Sequence, residues 1–291
     1  MEQYVLVAFN GVSWAMTVFL VAAGLTLVFG ILHVLNFAHG GFVMLGSYLA
    51  YSILAVTGES SLALFMGVSL LSALALGLMG AFFDRLVLRR LRVVSESYSL
   101  IATYAVLLLC EGLVKLCWGE DFRSTPPPAE LTGALTLSGV PFPSFVIFII
   151  VCGLVTFAVL DCISNRTTLG KTVMSVAKDP WMASLLGINV GIVLTGTVVV
   201  GVALAGLAGG LLSVNQSLSP GMGSALIIQA FGVIIVGGMG NVRGAFLASL
   251  LLGLMTALGD NLLPDIPGLF FYVALVTILL WRPKGLLKGL H

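Results

Sequence analysis

Charged residues are scarce in this sequence of 291 residues. Asp, Glu, Lys and Arg together make up 9% of it, against about 25% in an ordinary soluble domain. The net charge is +1, so the chain presents no basic field for nucleic acid. Hydrophobic residues reach 59%, and there are 35 glycines. This composition excludes a soluble fold and indicates an integral membrane protein whose Gly-rich helices pack closely in the lipid bilayer.

Groups for catalysis or metal binding are equally sparse. The four cysteines lie in or beside apolar segments without metal-ligand spacing, and we interpret them as packing residues. Gly170-Lys171-Thr172 resembles the end of a phosphate-binding loop, but the required first glycine is replaced by Asn165. No nucleophile–base pair has usable spacing. We therefore expect no catalytic residue, no metal site and no cofactor in this chain.

Apolar runs of membrane-spanning length dominate the chain. Because the N-terminus carries no basic residue before its first apolar run, we expect a first span there and not a cleaved signal peptide. A span needs about 20 apolar residues. On that measure we place spans near 5–32, 41–57, 62–88, 97–118, 143–163, 191–215, 225–239, 244–259 and 267–281. The sequence predicts one all-α polytopic transmembrane helix bundle over 1–291, with eight or nine spans depending on whether segments 225–259 cross or re-enter.

The charges between the spans alternate in sign. Basic residues follow the third, fifth and last spans: Arg85, Arg89, Arg90 and Arg92; Arg166, Lys171 and Lys178; and Arg282, Lys284 and Lys288. The other connections are acidic or neutral, with Glu59, Glu120, Asp121, Glu130, Asp260 and Asp265. Since basic residues concentrate on the cytoplasmic side, we expect the N-terminus outside and the C-terminus in the cytoplasm.

One apolar run, Phe29–Tyr48, carries three polar side chains and a glycine pair: His33, Asn36, His39 and Gly40-Gly41. They could be solvated in a short cytoplasmic turn. We favour a broken helix at the edge of a translocation path, because imidazoles and carboxamides are costly in hydrocarbon and adjacent glycines weaken a helix. Phe231–Ala248 repeats this glycine-interrupted pattern, which predicts a weak internal parallel repeat unless the likeness is chance.

Two connections carry further signals. In the loop 164–190, Asp179-Pro180 and Gly187 predict a short helix after another over 169–178. These helices could lie on lipid, but we favour a socket for a cytoplasmic protein because the loop has few basic residues. The external loop 119–142 is rich in proline and predicts a stiff, extended connector. Within the fourth span, Glu111 and Lys115 have the spacing of an ion pair.

Four stretches carry a resemblance to a known family. They are GLTLVFGILHVLNFAHGGFVMLGSY (Gly24–Tyr48), LGKTVMSVAKDPWMASLLGINV (Leu169–Val190), ALAGLAGGLL (Ala203–Leu212) and VIIVGGMGNVRGAFLASLLLG (Val233–Gly253). The sequence resembles the permease subunits of ATP-binding-cassette importers for branched-chain amino acids, and is more similar to the shorter of the two paired permeases.

The resemblance implies a pore formed with a second related permease in the bacterial inner membrane. Two cytoplasmic ATPases, which bind ATP and Mg, and a periplasmic substrate-binding protein complete such an importer. We assign to the translocation path Asn36, His39, Gly40, Gly41, Gly237, Gly238 and Gly240. We assign to ATPase docking Lys171, Asp179, Pro180, Trp181, Leu185, Leu186 and Gly187.

The sequence departs from the family pattern at Gly41, where many members carry Glu. Urea, other amides or aromatic acids are therefore alternative substrates on the same scaffold. An ion-coupled secondary carrier is the alternative of a different class. It is weakened by the scarcity of carboxylates within the spans, where Glu111 is the one mid-chain candidate.

Overall fold

The computed structural model describes residues 2–58, 61–92, 94–137, 140–283 and 285–287. Glu59, Lys284 and Lys288, which contributed to the predicted charge pattern, lie outside the described residues. The helices are α1 (Glu2–Leu32), α2 (Ala38–Thr57), α3 (Leu62–Phe83), α4 (Arg89–Leu91), α5 (Glu96–Trp118), α6 (Ser144–Arg166), α7 (Thr168–Lys178), α8 (Pro180–Leu185), α9 (Val190–Asn215), α10 (Met222–Gly237), α11 (Val242–Leu262) and α12 (Leu269–Trp281). The predicted all-α polytopic bundle is confirmed.

The two ends of the bundle carry opposite charge. We call one the acidic end; its connections hold Glu120, Asp121, Glu130, Asp260 and Asp265. The other is the basic end, with Arg89, Arg92, Arg166, Lys171, Lys178 and Arg282. At the basic end, Thr195 of α9 donates a hydrogen bond of 2.6 Å to Asp84, which also pairs with Arg92. Asp84 lies in the π-helical turn Asp84–Leu88 that joins α3 to α4, so this contact ties α3 to α9.

The short helix α10 connects these two ends. Seven helices of the described chain are long and apolar enough to cross a membrane, and α10 and α12 are shorter apolar helices. Leu218, before α10, pairs with Arg123 near the acidic end. Arg243, just after α10, binds Asp161 of α6 near the basic end, with Nη2 2.9 Å from Oδ2. Segments 225–259 therefore run from one end of the bundle to the other and back, and the number of membrane crossings stays at the predicted eight or nine.

The central helix of the bundle is α9, which contacts α1, α2 and α3 through small residues. Gly201 lies against Gly24 of α1, and Gly209 lies against Val43 of α2. Toward α3, a Cβ added to Gly206 would lie 2.6 Å from the carbonyl oxygen of Ser72. Small residues let helix backbones approach closely in lipid, where dispersion and not water exclusion holds helices together.

The connection 119–142 is more structured than an extended connector. It contains a 3₁₀ turn, Ala129–Leu131, and an antiparallel hairpin of β1 (Ala134–Leu137) and β2 (Val140–Pro143). Phe142 packs on Phe9 of α1 with ring centroids 4.7 Å apart. Pro141 and Pro143 stand at alternate positions of β2 and are exposed, whereas Val140 and Phe142, which alternate with them, are buried. The prolines therefore did not prevent pairing of the two strands. This cap covers the acidic end.

The predicted ion pair between Glu111 and Lys115 is wrong. Lys115 pairs instead with Glu120, at 3.2 Å. Glu111 accepts a hydrogen bond of 2.5 Å from Ser224 of α10. Spacing along one helix predicts which groups can meet, but here a neighbouring helix supplies a nearer partner. The long lysine side chain reaches toward the polar end of its helix.

Replacing Gly206 by alanine tests the close contact between α9 and α3. Because the added Cβ would lie 2.6 Å from the backbone of Ser72, one helix must shift. We expect Gly206→Ala to lower stability by about 1–3 kcal/mol, measured as a lower melting temperature of the detergent-solubilised protein. Gly196→Ala is the matched control on α9, since its Cβ would meet nothing within 4 Å. Equal melting temperatures for the two variants would contradict the packing argument.

Candidate functional site

The helix break lies before the glycine pair and not at it. Helix α1 ends at Leu32, and His33 adopts a left-handed conformation with φ of 53°. Its N–H donates to the carbonyl of Phe29 at 2.9 Å, which is the closing bond of an αL helix terminus. Residues 33–37 are not helical. Gly40 and Gly41 lie in the first turn of α2, which begins at Ala38, three residues before the predicted start of the second span.

The broken segment lies inside the bundle. The imidazole Nε2 of His39 is 3.0 Å from the carbonyl oxygen of Val21, roughly three turns before the end of α1. Asn36 and His39 are both fully buried. Asn36 and His39 are therefore not solvated in a turn, whereas His33 is half-buried, and the broken helix is confirmed.

Thr103 of α5 satisfies the backbone of the break. Its hydroxyl accepts a hydrogen bond of 3.3 Å from the N–H of Phe37. The same hydroxyl lies 3.3 Å from the carbonyl oxygen of Leu35 and 3.1 Å from that of Leu100, either of which can accept its proton. Irregular backbone at membrane depth is tolerated only where protein or water supplies such partners.

The predicted path residues around the break are packed against other helices. Gly40 lies against Gly223 of α10, and a Cβ on Gly41 would lie 3.0 Å from the sulfur of Cys110. The amide atoms of Asn36 and Nδ1 of His39 have no hydrogen-bond partner among the described residues. An unpaired buried polar group costs about 1–3 kcal/mol. Their role in translocation stays a prediction.

The second glycine group forms a tight turn at the basic end. Gly237 ends α10 against Gly244 of α11, and Gly238 and Gly240 have φ of 100° and 82°. The N–H of Leu286 donates to the carbonyl of Val236 at 2.7 Å, so the C-terminal segment lies beside this turn. Both glycine-rich stretches therefore form a helix–break–helix unit. The symmetry between them, and their place on the path, stay predictions.

Helices α7 and α8 have the predicted caps and two apolar faces. Asp179 accepts a hydrogen bond of 2.9 Å from the N–H of Met182, and Gly187 has φ of 82°. Val176 and Ala183 are buried against Ile31, which lies at the end of α1. The predicted docking residues Lys171, Asp179 and Pro180 are exposed, as are Trp181, Leu185, Leu186 and Gly187.

The exposed side of this pair is strongly apolar. Trp181, Leu185 and Leu186 are 68%, 63% and 74% exposed. The buried side contacts Ile31, the second-last residue of α1, next to the break. Sequence patterns located these helices but gave no signal of their contact with α1.

An aromatic cluster joins the break to two further helices. The ring of Phe37 lies 4.7 Å from that of Phe231 in α10 and 5.8 Å from that of Tyr104 in α5. We call these three residues the aromatic cluster. No pattern along the chain could reveal it, because its members come from three separate segments.

This arrangement defines the class of protein: an all-α polytopic membrane protein with a broken helix in its interior and an exposed apolar element at its basic end. Residues 7–280 match the model of a family described as branched-chain amino acid transport system / permease component. The chain belongs to that family.

Named relatives cover nearly the whole chain. The high-affinity branched-chain amino acid transport system permease protein BraD of Pseudomonas aeruginosa is 31% identical over 96% of this chain and 94% of its own length. LivH of Escherichia coli K12, with the corresponding description, is 29% identical over 96% and 94%. A solved structure, PsaBC from Streptococcus pneumoniae in complex with Fab, aligns with 94% of this chain and 89% of its own at 13% identity, with a TM-score of 0.48.

Replacing Thr103 by valine tests how the break is held. The change removes the hydroxyl that serves the backbone of Leu35 and Phe37. We expect a loss of about 1–3 kcal/mol, seen as a lower melting temperature. Thr277→Val is the matched control, because its hydroxyl donates only to Val273 of its own helix α12, at 2.7 Å. A melting temperature for Thr103→Val no lower than that of the control would show that the break needs no such partner.

Proposed function

We propose that this chain is the permease subunit of an ATP-driven importer and forms half of a path for branched-chain or related hydrophobic amino acids. One observation carries the mechanism: an exposed apolar element, α7–α8, is packed directly on the end of α1 beside the helix break. Membership of the permease family and the descriptions of BraD and LivH support the substrate class.

The basic end faces the cytoplasm in this proposal, because basic residues concentrate in cytoplasmic connections. The N-terminus is then outside the bacterial inner membrane and the C-terminus inside. The chain itself contributes no ATP site; two cytoplasmic ATPases hold ATP and Mg, a second related permease completes the pore, and a periplasmic binding protein delivers substrate at the acidic end.

Coupling passes through packed side chains. An ATPase seated on Trp181, Leu185 and Leu186 moves α7–α8 when it binds ATP. Val176 and Ala183 transmit that movement to Ile31, and so to the break that begins at His33. Rigid packed elements transmit displacement because interiors are close to incompressible.

In this proposal the helix break changes between two conformations during transport. In this arrangement the amide of Asn36 and Nδ1 of His39 lack protein hydrogen-bond partners. A second arrangement that provides such partners would offset part of the free energy needed to change from one arrangement to the other. The aromatic cluster is the closed gate of the path in this proposal. Displacing Phe37 with the break separates Tyr104 from Phe231 and opens the path toward the basic end.

Uptake of labelled leucine tests the proposal. Cells lacking their own system would express this chain with its neighbouring permease, ATPases and binding protein. We expect uptake that stops on ATP depletion while the proton gradient is held. Uptake that follows the ion gradient would overturn the importer in favour of a secondary carrier. ATPase co-purification without leucine uptake would retain the importer and reject the substrate class, with urea, amides and aromatic acids tested next.

Replacing Trp181 by glutamate tests the docking element. Trp181 is 68% exposed, so the variant protein should still fold. A carboxylate at this position would weaken an apolar contact with the ATPase. We expect loss of ATPase co-purification and of uptake, with the permease still present in the membrane. Leu263→Glu is the matched control, since Leu263 is 50% exposed near the acidic end. Retained ATPase association in Trp181→Glu would place the docking surface elsewhere.

A further inference from the structure

An unpaired carboxylate lies within a membrane-spanning helix. Glu111 is seven residues from the end of α5, and Ser224 of α10 donates a hydrogen bond of 2.5 Å to its Oε1. Among the described residues it forms no ion pair. Lys115, one turn further along α5, binds Glu120 instead. A carboxylate within a span is unfavourable in hydrocarbon, and such groups face a protein interior or a water-filled cavity.

The position of Glu111 around α5 separates it from the lipid-facing side. The most exposed side chains of α5, Ile101, Leu109 and Leu116, share one face. The opposite face, with Leu107 and Val114, is fully buried. On a helix with 3.6 residues per turn, Glu111 falls between the two faces, on the flank where α5 meets α10.

The side chains that flank the carboxylate on α5 and on α10 are largely apolar. Tyr104, two turns toward the basic end, is 46% exposed, and Ile228 of α10 is 47% exposed. The aromatic cluster, of which Tyr104 is part, therefore lies about 10 Å below Glu111 along α5. A carboxylate fixed by a hydroxyl thus stands above an aromatic closure, on the side that faces the acidic end.

This combination fits the two parts of a hydrophobic amino acid. An ammonium group forms a charge-assisted hydrogen bond with a carboxylate, and this bond is strong in a site with little water. The apolar side chain can lie against Tyr104 and Ile228. The uncompensated charge of Glu111 then gains a partner whenever substrate occupies the path.

We propose that Glu111, oriented by Ser224, binds the ammonium group of the substrate inside the translocation path, immediately above the aromatic cluster. This inference rests on the proposed function, because it requires an amino acid as substrate. It assigns the flank between α5 and α10 to the path, and it adds a charged binding residue to the predicted path residues.

The test uses the complete importer in proteoliposomes, with binding protein saturated with labelled leucine. Glu111→Gln keeps the hydrogen bond from Ser224 but removes the charge. We expect it to lower the rate of uptake about tenfold or more, while all subunits still co-purify. Glu111→Asp should recover part of the rate. Glu120→Gln, at the acidic end, is the matched control and should transport normally.

Uptake by Glu111→Gln within twofold of the wild-type rate would overturn the proposal. Loss of the second permease from the Glu111→Gln complex would also overturn it, because Glu111 would then pair with a cation across the subunit interface. Absence of leucine uptake by the wild-type importer is a different result. It would reject the proposed substrate class, and with it the amino acid that Glu111 is proposed to bind.

Thiol labelling tests the location without reference to the substrate. Glu111→Cys would be made with the exposed Cys117 and Cys162 replaced by serine, and treated with a charged, membrane-impermeant thiol reagent. The reagent needs water to reach a thiolate, so we expect Glu111→Cys to react. Leu109→Cys, on the lipid-facing side, is the matched control and should not. Equal labelling of both positions, or none at 111, would place Glu111 outside the path.

Discussion

The close backbone contacts of α9 hold α1, α2 and α3 together, and the other helices pack around this group. In lipid there is little hydrophobic gain when one apolar helix meets another, so helices associate where small residues allow extensive contact. Gly201 brings α9 onto α1, and Gly209 brings it onto α2. Ser47 of α2 also donates a hydrogen bond of 2.8 Å to the carbonyl of Gly209. The two helices on either side of the break are thereby held against one support.

The depth of the break follows from this packing. A Cβ on Gly24 would lie 2.8 Å from Cε1 of His39, so the absence of a side chain there leaves room for the imidazole. His39 can then reach the carbonyl of Val21. The first turn of α2 is fixed beside the middle of α1, and residues 33–37 must run back along α1 to connect them. The fully buried position of Asn36 is a consequence of this path of the chain.

The sequence was most informative where one local property decides the structure. Lengths of apolar runs predicted the polytopic helix bundle, and Asp179, Pro180 and Gly187 predicted where α8 begins and ends. Prediction failed where distant segments decide. Glu111 bonds to Ser224, which is 113 residues away, and the break is held by Thr103 of another helix. Tyr104 and Phe231 could not be assigned to a site because no spacing along the chain relates them to Phe37.

Position 41, where this chain has glycine and many members of the family carry Glu, is in close contact with Cys110 of α5. A Cβ at 41 would lie 3.0 Å from both Cβ and Sγ of Cys110, so a side chain there requires Cys110 to shift by a few tenths of an ångström. That contact holds the buried face of α5 against α2. The next residue, Glu111, is then turned to the flank facing α10. Glycine at 41 is therefore compatible with close packing of α2 on α5, in which Glu111 lies on the flank facing α10 and bonds to Ser224.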